Sequence, residues 1–228
     1  MRNIWSLIIS FLFVFFILYL STMLVRLFRT PKEESRKLVH IGVCNWWLLA
    51  MLGFDSWRWA IIGPIVFIFL NLISWYTGMF DSIERKTRDI NNLGTVYYPI
   101  SLLLLVLFTW YDSPVFTGVN PYIGGLGVMA MGYGDGFAAL IGTWQGKHKY
   151  SVLGAPKSIE GSIAMFLASL VPLFLMIIAG AEMDWLSALG LAIAFSALGT
   201  IVEAVTPRGL DNLTVPLIVS FTWLWLIV

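Results

Sequence analysis

Four short clusters of polar residues interrupt an otherwise apolar chain, and each contains side chains that could bind a phosphate or a cation. They are Arg36-Lys37-Leu38-Val39-His40, Gly132-Tyr133-Gly134-Asp135-Gly136, Pro156-Lys157-Ser158-Ile159-Glu160-Gly161-Ser162, and Glu203 with Asp211-Asn212. Basic side chains neutralise phosphate oxygens, and carboxylates are ligands that Mg²⁺ accepts. Transfer of a phosphoryl or nucleotidyl group needs little beyond positioning, charge neutralisation and a bridging metal ion.

In the first cluster, helical spacing places basic groups on one face at the start of an apolar run. Arg36 and His40 are four residues apart, and Lys37 and His40 are three apart. Membrane anchoring by positive charge explains Arg36 and Lys37 on its own. His40 lies one turn deeper, where anchoring does not require a polar ring, so we expect it to have a functional role.

The second cluster places Asp135 among glycines late in an apolar run. Glycine weakens a helix and permits close backbone approach, so we expect a broken helix that lines a cavity rather than a regular lipid-facing one. There the Asp135 carboxylate could bind a hard cation, with water and phosphate oxygens completing the shell. Glycine-mediated helix packing is the alternative, but it leaves the aspartate unexplained.

The third cluster opens a further apolar run. Pro156 suits a helix start, and the exposed N–H groups of a helix N-terminus attract anions, so Lys157 and Ser158 would lie where a nucleotide phosphate docks. Glu160 could pair with Lys157, cap the helix, or reach a metal ion. The preceding Lys147-His148-Lys149 run is more readily explained as solvated loop charge.

The fourth cluster lies on both sides of a predicted turn. Asp211 and Asn212 precede the last apolar run and could be simple N-cap residues. Glu203 is different, because a carboxylate near a helix C-terminus opposes the helix dipole and favours a metal ion or a basic partner.

The elements that must position these clusters are membrane helices. The chain is 59% hydrophobic and 12% charged, whereas a soluble domain is roughly 45–50% apolar and about 25% charged. The net charge of +1 excludes a strongly basic nucleic-acid binder, and no nucleic-acid partner is expected. The single Cys44 can form neither an intramolecular disulfide nor a thiolate metal site.

About eight apolar runs are long enough to be transmembrane helices, although seven remains open because the second, fourth and eighth are short. The runs are Ile4–Val25, Leu38–Phe54, Trp57–Tyr76, Val96–Tyr111, Tyr122–Trp144, Ile159–Ala179, Trp185–Val205 and Leu213–Val228. Without the alternation of barrel strands, they predict an all-α, polytopic membrane bundle. Residues 1–228 are expected to form a single domain, since no linker or low-complexity tract interrupts them.

The distribution of basic residues predicts orientation. Of the 14 lysines and arginines, all but Arg2 and Arg58 fall in the loops on one side of the alternating spans. By the positive-inside rule that side is cytoplasmic. All four polar clusters reach that face, so we expect a multi-pass protein of the cell membrane with its active site on the cytoplasmic face.

The four motifs together resemble the integral-membrane polyprenol kinases, which include dolichol kinase, phytol kinase and the CTP-dependent diacylglycerol kinase. The matching residues are Arg36-Lys37-x-x-His40, Gly134-Asp135-Gly136-x-Ala138-Ala139-x-x-Gly142, Lys157-Ser158-x-Glu160-Gly161-Ser162, and Glu203 with Asp211-Asn212-x-x-x-Pro216. Their order and spacing cover about residues 35–216. The short chain looks closer to phytol kinase than to dolichol kinase, which has many more spans.

The resemblance implies transfer of the γ-phosphoryl group of CTP, with Mg²⁺, to the hydroxyl of a membrane lipid. That lipid would be an isoprenoid alcohol such as phytol, geranylgeraniol or a polyprenol, or else diacylglycerol. The implied metal ligands are Asp135 and Glu160, with Glu203 and Asp211 as further candidates. The implied nucleotide-binding residues are Arg36, Lys37, Gly134, Lys157, Ser158, Gly161 and Asn212. The implied catalytic set is Asp135, His40, Lys157 and Glu160, and either His40 or Asp135 could act as the general base.

Two other functions remain open from sequence. The family is distantly similar to the CDP-diacylglycerol synthases, which also use CTP, but Thr206-Pro207-Arg208-Gly209 lacks the lysine and acidic residue of their signature. A small transporter would explain glycines around Asp135, yet not the charged clusters gathered at one face. A membrane scaffold without activity ranks third, since it leaves the ionisable groups unexplained.

Overall fold

The computed structural model is an all-α bundle, as predicted, to which one short hairpin is added. It describes residues 1–29, 31–77, 93–152, 155–207 and 209–227. The helices are α1 (Arg2–Phe28), α2 (Lys32–Cys44), α3 (Trp46–Gly53), α4 (Trp57–Ala60), α5 (Ile62–Thr77), α6 (Gly94–Thr109), α7 (Pro121–Met129), a π-helix (Ala130–Asp135), α8 (Gly136–Trp144), α9 (Ile159–Gly180), α10 (Trp185–Val205) and α11 (Asp211–Ile227). The strands are β1 (Lys149–Val152) and β2 (Ala155–Ser158).

The helices of the described ranges combine into eight segments that correspond to the eight apolar runs. Four are long and apolar enough to cross a membrane by themselves: Arg2–Phe28, Trp57–Thr77, Ile159–Gly180 and Trp185–Val205. Gly94–Thr109 is apolar but shorter. The outward side chains of α1, among them Leu12 and Phe16, are more than half exposed, as expected for a surface that faces lipid.

The second segment is two helices rather than one. It begins at Lys32, six residues before the predicted start, and is interrupted at Asn45 between α2 and α3. The Asn45 side chain donates to the carbonyl of Ile41 at 2.9 Å, which satisfies a group freed by the break. Its Oδ1 accepts a 2.9 Å hydrogen bond from the Tyr133 hydroxyl, which connects the helix interruption to the π-helix at the centre of the bundle.

The fifth segment, α7 to α8, is the buried centre of the bundle. It is not interrupted as predicted but widens into a π-helix over Ala130–Asp135. A Cβ at Gly127 would overlap the backbone of α11, and one at Gly132 would overlap Cys44 of α2. Only glycine permits such close approach, so packing and the placement of Asp135 depend on the same glycines.

The connection before α9 contains a hairpin that the sequence did not predict. Strands β1 and β2 pair antiparallel, with Lys149 opposite Ser158 and Tyr150 opposite Lys157. Pro156 therefore lies in a strand, and α9 begins at Ile159 with Ser158 as its N-cap. The hairpin turns Lys157 back towards the bundle instead of leaving it in an open loop.

The two remaining basic residues lie at the opposite end of the bundle. Arg2 donates to the carbonyl groups of Leu52 and Gly53, which end α3. Arg58 lies 3.9 Å from Asp112 in an exposed ion pair. The basic residues Arg85, Lys86, Arg88 and Arg208, which the charge pattern assigns to the cytoplasmic side, fall outside the described residues.

Candidate active site

Three buried carboxylates converge at the end of the bundle where the predicted clusters lie. Asp135 ends the π-helix, Glu203 lies in the last turn of α10, and Asp211 begins α11. One carboxylate oxygen from each lies within 4.8 Å of the others, and the residues are 3%, 7% and 8% exposed. Glu203 and Asp211 are eight residues apart on successive helices, and Asp135 comes from the π-helix, so folding is what assembles the group.

Two lysines partly neutralise this carboxylate cluster. Lys37 Nζ donates to Asp135 Oδ2 at 2.6 Å, and Lys157 Nζ donates to Glu203 Oε1 at 2.5 Å. Lys157 also contacts the backbone carbonyl of Glu203, which accepts the Thr206 N–H as well at the end of α10. With both lysines charged and all three carboxylates ionised, these five buried side chains carry one more negative than positive charge.

The donor set of Asp135, Glu203 and Asp211 fits a hard divalent cation. Carboxylate oxygens are the ligands that Mg²⁺, Ca²⁺ and Mn²⁺ prefer, and sulfur and imidazole ligands are absent from this set. Like charges this close in low dielectric repel strongly unless a cation compensates them. Binding of a divalent ion would also leave the lysines available to phosphate oxygens.

His40 lies beside the cluster without entering it. Its Nε2 is 3.7 Å from Asp135 Oδ2, beyond hydrogen-bonding distance, and contacts the sulfur of Met131. The imidazole packs against the Tyr98 ring with centroids 5.0 Å apart. His40 is therefore close enough to the carboxylates to share a substrate with them.

Asp211 and Asn212 do more than begin a helix. Asp211 Oδ1 accepts from the backbone N–H groups of Gly209 and Asn212, and Gly209 has φ 91°, which glycine adopts without strain. Asn212 Nδ2 donates to the Gly94 carbonyl at 2.8 Å. Its Oδ1 is buried and has no hydrogen-bond partner among the described residues.

The third predicted cluster is divided between two places. Ser158 accepts from the Gly161 N–H at 3.2 Å as the N-cap of α9, and a Cβ at Gly161 would come within 2.8 Å of the Ala138 carbonyl. Glu160 points elsewhere: it accepts from the His148 N–H and lies 2.7 Å from His148 Nδ1. The structure thus brings Lys157 to the carboxylates and leaves Glu160 with His148, and the predicted metal role of Glu160 stays a prediction.

Gly134 and Arg36, two residues predicted to bind the nucleotide, lie beside the carboxylate cluster and not within it. Gly134 packs against α9, where an added Cβ would lie 3.0 Å from Met165, so its position serves helix packing. Arg36 lines an apolar cavity next to His40. Tyr98, which lines the same cavity, was missed from sequence because it lies near the start of an apolar run that carries no ionisable cluster; its place directly before Pro99 was the available signal.

The chain is similar to proteins of known name. It is 34% identical over 204 residues to a phytol kinase from Synechocystis sp., covering 86% of this chain and 81% of that protein. The chain belongs to the phytol kinase family. A probable chloroplastic phytol kinase of Triticum aestivum is 30% identical over 80% of this chain and 64% of its own length, and phytol kinase 1 of Arabidopsis thaliana is 30% identical over 80% and 63%.

Membership of the phytol kinase family confirms the resemblance to polyprenol kinases and makes the chain a kinase that phosphorylates an alcohol. A kinase uses a nucleotide co-substrate. The chain spans a little under two thirds of the plant relatives' length. Neither a protein-family model nor a solved structure matches the chain.

Proposed function

We propose that this member of the phytol kinase family transfers the γ-phosphoryl group of CTP to the hydroxyl of an isoprenoid alcohol in the membrane. The observation that carries the proposal is the buried group of Asp135, Glu203 and Asp211, with Lys37 and Lys157 bound to it. Phosphoryl transfer concentrates negative charge between the attacking and leaving oxygens, and this arrangement supplies cations and cation ligands at one point.

Asp135, Glu203 and Asp211 would hold Mg²⁺, which when bound neutralises charge on the phosphate oxygens. Lys37 and Lys157 would then turn from their carboxylate partners to the phosphates, as would Arg36 from the neighbouring cavity wall. Asn212, anchored through Nδ2, would orient the reacting groups with its free Oδ1. Ser158 and Gly161 would support this site by fixing the junction of β2 with α9, next to Lys157 at the end of β2.

In the transfer step, the acceptor oxygen forms a bond to the γ-phosphorus while the bond from that phosphorus to the β,γ-bridging oxygen breaks and CDP leaves. The hydroxyl proton must go to a base. We propose His40, since its ring lies against the carboxylates and also lines a cavity, whereas Asp135 is held by Lys37.

The site would face the cytoplasm, where CTP is available, since the basic residues concentrate at that end of the bundle. We further propose that residues 1–228 act as a single domain with its catalytic core at about 35–216.

The function is tested with purified protein in lipid nanodiscs, a panel of lipid alcohols, and CTP labelled on either the α- or the γ-phosphate. We expect only γ-label in the lipid product, CTP to be preferred over ATP and GTP, and activity to require a divalent cation. Entry of α-label would identify a cytidylyltransferase and overturn the proposal. Diacylglycerol as the preferred acceptor would overturn the isoprenoid assignment.

Asp211→Asn tests the cation ligands with little change in shape, because the amide oxygen can still accept the two N–H groups. We expect kcat to fall by about 100-fold or more. Asp112→Asn is the matched control, since Asp112 lies at the opposite end with Ser56 and Arg58. Equal activities of the two variants would remove Asp211 from the site.

A further inference from the structure

A cavity lies between α1, α2, α5 and α6, next to the carboxylates. Its volume is about 150 Å³, and most of its wall is apolar, with Phe67 and Leu70 from α5 and Leu102 from α6. An apolar cavity of roughly this size in another protein is known to bind benzene. Such a wall offers few hydrogen-bonding groups to a nucleotide base or to phosphates, so it suits a hydrocarbon.

One end of the cavity is polar. His40, Tyr98 and Asn212 line it there, and Tyr98 and Asn212 are each less than one-tenth exposed. The Tyr98 hydroxyl and Asn212 Oδ1 find no hydrogen-bond partner in the described part of the chain. Buried polar atoms are nearly always paired, so an unpaired atom on each of two residues that line a single cavity points to a ligand that carries a hydroxyl.

The cavity runs along α5, with its polar end near Asn71 and its apolar end near Gly63. Asn71 of α5 bonds the Thr95 carbonyl of α6 at 2.7 Å near the polar end, whereas Gly63, two turns earlier in α5, faces Trp46 at the other. The helical rise makes this distance about 12 Å. His40, at the polar end, lies 3.7 Å from Asp135, so a hydroxyl there would be next to the carboxylates.

The cavity also reaches the lipid-facing surface. Phe15 of α1 is part of its wall and is 51% exposed. A ligand longer than the cavity can therefore extend past Phe15 into the bilayer, beyond the residues that line the cavity.

We propose that this cavity binds the acceptor by its first isoprene unit, with the hydroxyl among His40, Tyr98 and Asn212 and the rest of the tail in the bilayer. This inference rests on the proposed function, since it names the acceptor's place in the same site. It follows that the enzyme selects the branched unit next to the hydroxyl and is indifferent to tail length.

Acceptor specificity is the first test. We expect phytol, geranylgeraniol and a shorter isoprenoid alcohol in the same nanodiscs to have KM values within about threefold, and a straight-chain alcohol to be at least about tenfold worse, as a pocket that recognises one methyl group allows. A KM that changes steadily with tail length, or equal use of the straight chain, would overturn the inference.

A matched pair of variants tests the cavity itself. Leu70→Phe adds volume inside it, whereas Leu72→Phe makes the same change on the same helix outside it. We expect Leu70→Phe to raise the acceptor KM by about tenfold or more with the KM for CTP unchanged, and Leu72→Phe to change neither. An unchanged acceptor KM in Leu70→Phe would remove the cavity from acceptor binding and leave the kinase function intact.

Photolabelling tests the cavity proposal independently of the kinase proposal, because it detects acceptor binding without any phosphoryl transfer. An isoprenoid alcohol with a diazirine on its first unit should label peptides of α5 or α6 without any nucleotide, and Leu70→Phe but not Leu72→Phe should reduce the labelling. Labelling of the outer faces of α9 and α10 would overturn the cavity assignment. Specific labelling of α5 or α6 without phosphorylation by any nucleotide would uphold the cavity and overturn the kinase proposal.

Discussion

The Lys37–Asp135 ion pair predicts that a divalent cation and a lysine compete for one carboxylate. Both side chains are mostly buried, with 13% and 4% of their surface exposed, and Nζ lies 2.6 Å from Oδ2. Lys37→Met keeps most of the side chain's apolar volume and removes only the charge. Asp135 is then left buried beside Glu203 and Asp211.

The size of the effect follows from this geometry. Two unit charges 2.6 Å apart attract by about 6 kcal/mol at an effective dielectric constant of roughly 20. Desolvation offsets part of this, and breaking a buried pair by removing one partner costs about 3–5 kcal/mol in practice. A cation at 100 times its dissociation constant contributes about 2.7 kcal/mol to the wild type, and more to the variant, since no lysine opposes its binding.

We therefore expect Lys37→Met to lose about 3–5 kcal/mol of stability in EDTA and no more than about half of that in saturating Mg²⁺. Denaturant unfolding in detergent micelles, followed by tryptophan fluorescence, measures both values. Lys147→Met is the control, because Lys147 is exposed and its loss should change stability by less than about 0.5 kcal/mol. An equal loss with and without Mg²⁺ would refute a cation site at Asp135.

Three further predictions concern helix packing, a hydrogen bond between helices and a helix cap. Gly127→Ala should lower the free energy of unfolding by about 1–3 kcal/mol, because its Cβ would overlap a carbonyl of α11. Gly190→Ala has open space around it and should raise the same free energy by about 0.5–1 kcal/mol. Denaturant unfolding measures both. Tyr133→Phe should lose about 1 kcal/mol by the same measurement, with the Asn45 bond removed and the KM for CTP unchanged. Asp184 is the N-cap of α10, and a hydrogen bond from the Ser187 hydroxyl lowers the pKa of its carboxyl group. Asp184→Ala should therefore have a lower melting temperature than the wild type at neutral pH. This difference should disappear as the pH falls below about 4 and the carboxylate of the wild type is protonated. A difference that widens in acid would contradict this assignment.

The helical class and the positions of the spans could be predicted because they depend on local properties. A run of about 20 apolar residues must form a helix in hydrocarbon wherever its neighbours lie. The predicted end of the seventh span places Glu203 in its last turn, as found. The hairpin Lys149–Ser158 escaped prediction, because its short strands are polar and are held by contacts with Gly142 and Ser162 of other elements.

The candidate site could be predicted as a set of clusters but not as an arrangement. Lys157 and Glu160 are neighbours in sequence, yet Lys157 bonds Glu203 and Glu160 bonds His148. A β-strand alternates its side chains and a helix does not, so the change from β2 to α9 between them sends the two in different directions. Sequence spacing alone could not distinguish this outcome from a Lys157–Glu160 pair.

The sequence by itself determined that this protein is a membrane helical bundle and that its few polar groups gather at one end. Scarcity of charge made each group conspicuous, since burying one in hydrocarbon is costly. Only the tertiary structure decided that Asp135, Glu203 and Asp211 form one cation-sized group, and that a cavity with unpaired polar atoms lies next to it. These features depend on distances between helices far apart in sequence, which are set by the close packing that glycines such as Gly127 and Gly132 allow.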